Sequence, residues 1–168
     1  ILRKCIAENA YNSFVWGKLF KTDLVQKAYG EIPFTYCTMA EDMLLYFFIA
    51  LTASKSAGAP DDEHIKKTYT YVGIPDTVYH YHINAGVTSR RQITELAEWQ
   101  KVCSAASVFT VILSYLDEHP VIGSDICEAV KALGRSYRID SLKQLEVCVV
   151  PSLQAQAQAM LEEWWGIS

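Results

Sequence analysis

Two carboxylates stand side by side inside an apolar run, Glu41 and Asp42 in "IPFTYCTMAEDMLLYFFIAL", residues 32–51. Burying an ionised carboxylate without hydrogen bonds or a positive partner costs on the order of several kcal/mol, more than one Leu-sized burial returns. Each must therefore reach water, meet a Lys or Arg on a neighbouring helix, or hold a ligand. Successive helical residues point about 100° apart, so Asp42 can face inward while Glu41 faces another helix or solvent. Tyr46 follows Asp42 by one helical turn. It is one of ten tyrosines, among them Tyr69, Tyr71, Tyr115 and Tyr137, which could form amphipathic walls for a flat heteroaromatic ligand. A tyrosine-rich core has the same composition.

Other chemistry-bearing residues are sparser. In "YHYHIN", His80 and His82 would share one face of a strand and could chelate a metal with Glu63 or His64, whereas on a helix they would diverge. Surface or capping histidines are the expected reading, and neither a metal nor an organic cofactor is expected. Cys5, Cys37, Cys103, Cys127 and Cys148 are odd in number, far apart and free of CxxC spacing, which reads as free thiols in a reducing, cytoplasmic setting. The sequence contains no glycine-rich phosphate loop, Gly-x-Ser-x-Gly elbow or His-Glu-x-x-His motif. A net charge of −4 without a basic stripe argues against nucleic acid. The longest apolar run, near residues 43–51, is too short to cross a bilayer. The expected partner is a small molecule or another protein.

The elements that must position these residues read as helices throughout, in one domain over residues 1–168. One or two helices are expected over residues 2–29, with Tyr11, Phe14, Leu19 and Leu24 as apolar contacts, ending at "YGEIP". Residues 34–57 form a helix that is apolar nearly all round, as a central bundle helix is. A turn at 58–62 leads to a helix over 62–72, while Tyr79 to Gly86 fits a short strand or a helical turn. Residues 89–118 read as one long helix or two collinear ones. Asp125 with Glu128 resembles a capping box and starts a helix through about Tyr137, and Ser141 with Gln144 repeats that signal. Pro151 opens the last helix, with Leu153, Ala157, Met160, Leu161 and Trp164 on one face.

Taken in order, "KTDLVQKAYGEIP", "IPFTYCTMAEDMLLYFF", "DDEHIKKTYTYVGIP" and "QAQAMLEEWWGIS" resemble the TenA/thiaminase II family of the heme-oxygenase-like helical fold. The resemblance spans most of the chain and implies an all-α, multi-helical bundle that hydrolyses an aminopyrimidine or related heteroaromatic amine, as in thiamine salvage, and assembles as a homo-oligomer. Asp42 stands where the family's "QD" aspartate would hold the ring, with Glu41 replacing the Gln. Tyr46, Tyr69 and Tyr115 would line the substrate pocket. Cys103, in "EWQKVCSAASVF", would be the nucleophile, with Cys127 as runner-up, and Glu162 would shuttle the proton.

The chain departs from the family at two points. No "PC…Y" context surrounds Cys103, and overlaying "WWGIS" on the family's "FWDMA" puts Leu161, not Glu162, at the glutamate position. By helical spacing Glu162 and Glu163 fall on the solvent side of the last helix, and a helical Cys103 also fits the role of a small apolar core residue. Two other readings therefore stand beside hydrolysis: a divergent TenA-like protein that binds or transforms another small apolar ligand without Cys-dependent chemistry, and a helical protein-interaction module.

Overall fold

The structure is a computed structural model, and it describes residues 1–57, 69–74 and 92–166. The expected turn at 58–62, most of the helix expected over 62–72, and the His80 and His82 segment lie outside the described residues. Seven α-helices carry the described chain: α1 Leu2–Ile6, α2 Thr22–Glu31, α3 Glu41–Ala57, α4 Leu96–Cys103, α5 Ala105–Glu118, α6 Ser124–Cys148 and α7 Gln154–Trp164. Short 3-10 turns, Pro120–Ile122 and Pro151–Leu153, precede α6 and α7. The described residues contain no strand, only a parallel bridge between Ile93 and Val149. The all-α expectation holds. Among the described residues, no helix is long and apolar enough to cross a membrane.

The apolar helix of the sequence lies at the centre. Met43, Leu44, Phe47, Phe48, Ile49 and Leu51 of α3 are all buried, and α1, α2 and α5 pack around them. Full burial of each large side chain stabilises the fold by about 1.5–3 kcal/mol. Helix α3 starts at Glu41 and not at residue 34 because Ser104 holds the preceding segment in another conformation. The Ser104 hydroxyl accepts the Thr38 and Met39 N–H groups at 3.0 and 3.2 Å and donates to the Lys101 carbonyl at 2.6 Å. Ala40 then takes a left-handed φ of 63° before the helix begins. Glu41 and Asp42 occupy the first turn, where the helix dipole favours negative charge.

Other boundaries also moved. Residues 7–21 are not helical; Tyr11 packs on the main core and Leu24 is buried, but Phe14 is exposed and Leu19 is 95% exposed. Residues 69–74 have no helical turn. Of the segment expected as helix over 89–118, residues 92–95 are not helical, and helix runs as α4 from Leu96 and α5 from Ala105, divided at Ser104. Helix α6 runs unbroken through Tyr137, because Ser141 does not cap a new helix: its hydroxyl donates to the Tyr137 carbonyl one turn back, at 2.9 Å. The cap at the start of α6 is Gly123, at φ 118°, and a Cβ there would lie 2.8 Å from Asp125 Oδ1, so the position needs glycine.

A second, smaller core joins α4, the end of α6 and α7 through Trp99, Val102, Cys103, Leu145, Val149, Ala157 and Leu161. The last helix follows its pattern: Ala157 and Leu161 are buried, Met160 and Trp164 half-buried, and Glu162 and Glu163 exposed.

Candidate functional site

On α3, Tyr46, Ile49, Ala50 and Ala53 recur at helical spacing and share one face. The two alanines leave room above the helix. Cys5 from α1, Lys18 and Phe20 from the 7–21 segment, and Tyr69 and Tyr71 from the 69–74 segment surround that room, and the resulting cavity has a volume of about 620 Å³. This falls within the roughly 300–1,000 Å³ of ordinary ligand pockets.

The polar groups of the cavity are few. Tyr46 is only 2% exposed, and its hydroxyl is buried without a hydrogen-bond partner among the described residues. Burial and the neighbouring Cys5 thiol push its phenol well above the usual tyrosine range. Burial likewise raises Cys5, with Tyr46 partly offsetting it. The Lys18 ammonium lies 5.3 Å from the centre of the Tyr46 ring and donates to Asn12 Oδ1 at 2.5 Å and to the Phe14 carbonyl. Burial lowers its pKa and the charge of Asp42 opposes that shift. Opposite, the Tyr69 hydroxyl donates to Asp23 Oδ2 at 3.1 Å with Lys21 over its ring at 5.8 Å, and Tyr71 stacks on Tyr11 at 3.8 Å and 13°. Among the described lining residues, the cavity therefore offers aromatic faces, the buried Tyr46 hydroxyl and the Lys18 and Lys21 cations.

Of the residues singled out from the sequence, Tyr46 and Tyr69 meet here. Half-buried Asp42 is not among the described lining residues; its charge acts on Lys18 and on Tyr137. Tyr115 belongs to another cluster, where Lys55 Nζ donates to its hydroxyl at 2.8 Å and to Glu31 Oε2 at 2.7 Å, and where its ring stacks on His119 at 4.2 Å. Cys103 is fully buried in the second core, and burial pushes its thiol up to about 12. Glu162 is exposed on α7 and accepts a hydrogen bond from Gln158 Nε2 at 2.9 Å. The structure thus brings two of the expected tyrosines together and leaves Asp42, Tyr115, Cys103 and Glu162 outside the cavity wall. Cys5 and Lys18, which no sequence motif marks, are part of that wall. Among the described residues, no group of three His, Cys, Asp or Glu side chains is placed to hold a metal ion.

Comparison with known proteins finds no matching family model, no matching curated protein and no matching solved structure.

Proposed function

We propose that this chain binds a small, flat, largely apolar ligand between α1, α3 and residues 69–74, as a divergent TenA-like protein that does not use Cys103 for hydrolysis. The observation that carries this reading is the Tyr46 hydroxyl, buried on the wall of an aromatic cavity with no oxygen or nitrogen partner among the described residues and only the weakly bonding Cys5 thiol beside it. Leaving such a group unsatisfied costs about 1–3 kcal/mol, which a ligand bearing an acceptor would recover. The ligand stacks on the tyrosine faces and accepts a hydrogen bond from the Tyr46 hydroxyl.

Hydrolysis by Cys103 is less well supported. A nucleophilic thiol must ionise near neutral pH and reach its substrate, whereas Cys103 is fully enclosed and its thiol is held protonated. The cations Lys18 and Lys21 on the cavity wall also favour an acceptor-bearing ligand over a protonated aminopyrimidine.

The test is a thermal-shift titration with aminopyrimidines, thiamine fragments and neutral heteroaromatics of similar size. A binder at 100 times its dissociation constant stabilises the folded state by about 2.7 kcal/mol. Tyr46→Phe is expected to abolish the shift and Cys103→Ser to leave it in place. A shift that survives Tyr46→Phe unchanged, or the absence of any shift across the panel, overturns the proposal.

A further inference from the structure

A second cavity, of about 440 Å³, lies between α5, α6 and the end of α7, away from the residues described above. Its composition runs against the acidic character of the chain, whose net charge is −4. Lys131, Arg135 and Arg138 line it from α6, at positions one and two turns apart and so on one face of that helix. Lys131 is paired with Glu128 at 2.8 Å, but Arg135 and Arg138 have no ion pair within 4.0 Å among the described residues. Glu163 is the acidic side chain on the wall and pairs with neither arginine.

The remaining wall is aromatic. Trp165 stacks on Phe109 at 5.9 Å and 29°, with Trp164 beside it on the same wall. The Trp165 indole N–H is buried and has no hydrogen-bond partner among the described residues, although an indole N–H usually finds one when buried. Gly134 forms the floor against Phe109, where a Cβ would stand 3.3 Å from the ring. The absence of a side chain keeps the space between the arginines and the indoles open.

We infer that this cavity is a binding site for a small aromatic anion, whose carboxylate or phosphate group is held by Arg135, Arg138 and the Trp165 N–H while its ring lies along the tryptophan wall. Guanidinium groups bind oxyanions through paired, charge-assisted hydrogen bonds, and the buried indole N–H of Trp165 on the same wall is a further donor with no partner among the described residues. Carboxylate and phosphate share this chemistry, and the probes below separate them.

The test reads the four tryptophan indole N–H signals of the isotopically labelled chain in a heteronuclear correlation spectrum, with the Trp165 signal assigned by Trp165→Phe. The probes are naphthoate, naphthyl phosphate, inorganic phosphate and the neutral naphthalenemethanol. The Trp165 signal is expected to move with naphthoate or naphthyl phosphate, and the tighter of the two identifies the oxyanion. The double variant Arg135→Gln/Arg138→Gln is expected to bind at least about tenfold more weakly, the factor that loss of a charge-assisted bond carries. Arg135 is exposed and Arg138 half-buried, so their replacement is expected to leave the packed core intact, while Tyr46→Phe, at the other cavity, is expected to change nothing. The inference is overturned by an unmoved Trp165 signal, by naphthalenemethanol or inorganic phosphate binding as tightly as the aromatic anions, or by undiminished binding in the double variant.

Discussion

The indole N–H of Trp99 donates to the carbonyl of Ala157 at 2.8 Å, a fully buried bond that ties α4 to α7. Trp99 is the largest fully buried side chain in the protein's described core, so the smaller of the two cores is built around it. Removing the bond while keeping most of the ring, by Trp99→Phe, is expected to cost about 1–2 kcal/mol. Trp99→Ala, which also opens a cavity, is expected to cost about 3–5 kcal/mol. Urea denaturation followed by far-UV circular dichroism checks both, and equal losses for the two variants would show that the bond and the packing do not divide in this way.

Replacing the interior helical Gly134 by alanine ordinarily gains about 1 kcal/mol of helix propensity. Here the new methyl would meet Phe109 at 3.3 Å, and Phe109 is itself hemmed in by Tyr137 at 5.2 Å and Trp165 at 5.9 Å. Gly134→Ala is therefore expected to show no gain and a net loss of about 1 kcal/mol from overpacking. A measured stabilisation would mean that the Phe109 ring moves aside freely.

In the unliganded protein, Tyr46→Phe is expected to raise stability by about 1 kcal/mol, because it removes a buried hydroxyl that among the described residues has only the weak Cys5 thiol beside it. The same substitution is expected to lose the ligand-induced shift. Gain of stability with loss of binding is the pattern of a site kept for function and not for folding. A destabilised Tyr46→Phe would indicate that contact with the Cys5 thiol already satisfies the hydroxyl.

Burial raises the Cys103 thiol from its ordinary 9.0 to about 12. Below pH 9 the folded and unfolded chains both hold this proton, and the group contributes no pH dependence. Between pH 9 and 12 the unfolded chain releases the proton while the folded one keeps it, so stability falls as pH rises. Cys103→Ala is expected to flatten this alkaline decline in unfolding experiments across that window. In native thiol labelling at pH 8, Cys103 is expected to react far more slowly than half-buried Cys37, Cys127 and Cys148. Rapid labelling of Cys103 would show that the second core opens readily.

What could be read in advance was what depends on near neighbours in the chain. The all-helical class, the central place of the α3 helix and the outward face of Glu162 and Glu163 all follow from spacing within one helix, where side-chain direction repeats every few residues. Helix ends were less legible. Ser141 carries the same residue signal whether it caps a helix or bonds back within one, and the Ser104 hydroxyl, where α4 gives way to α5, binds N–H groups of Thr38 and Met39 that no local pattern could foretell.

The amino-acid sequence alone determined the all-helical class and the apolar faces of α3 and α7, but not every helix or its ends. Tertiary structure decided which faces meet: Cys5 beside Tyr46, Cys103 in a core apart from the cavity, and Arg135 and Arg138 along the wall that holds Trp165. The physical reason is range. Helical periodicity is a property of a few consecutive residues, whereas a cavity is the space left over when segments far apart in the chain pack together. No single segment carries the record of that space.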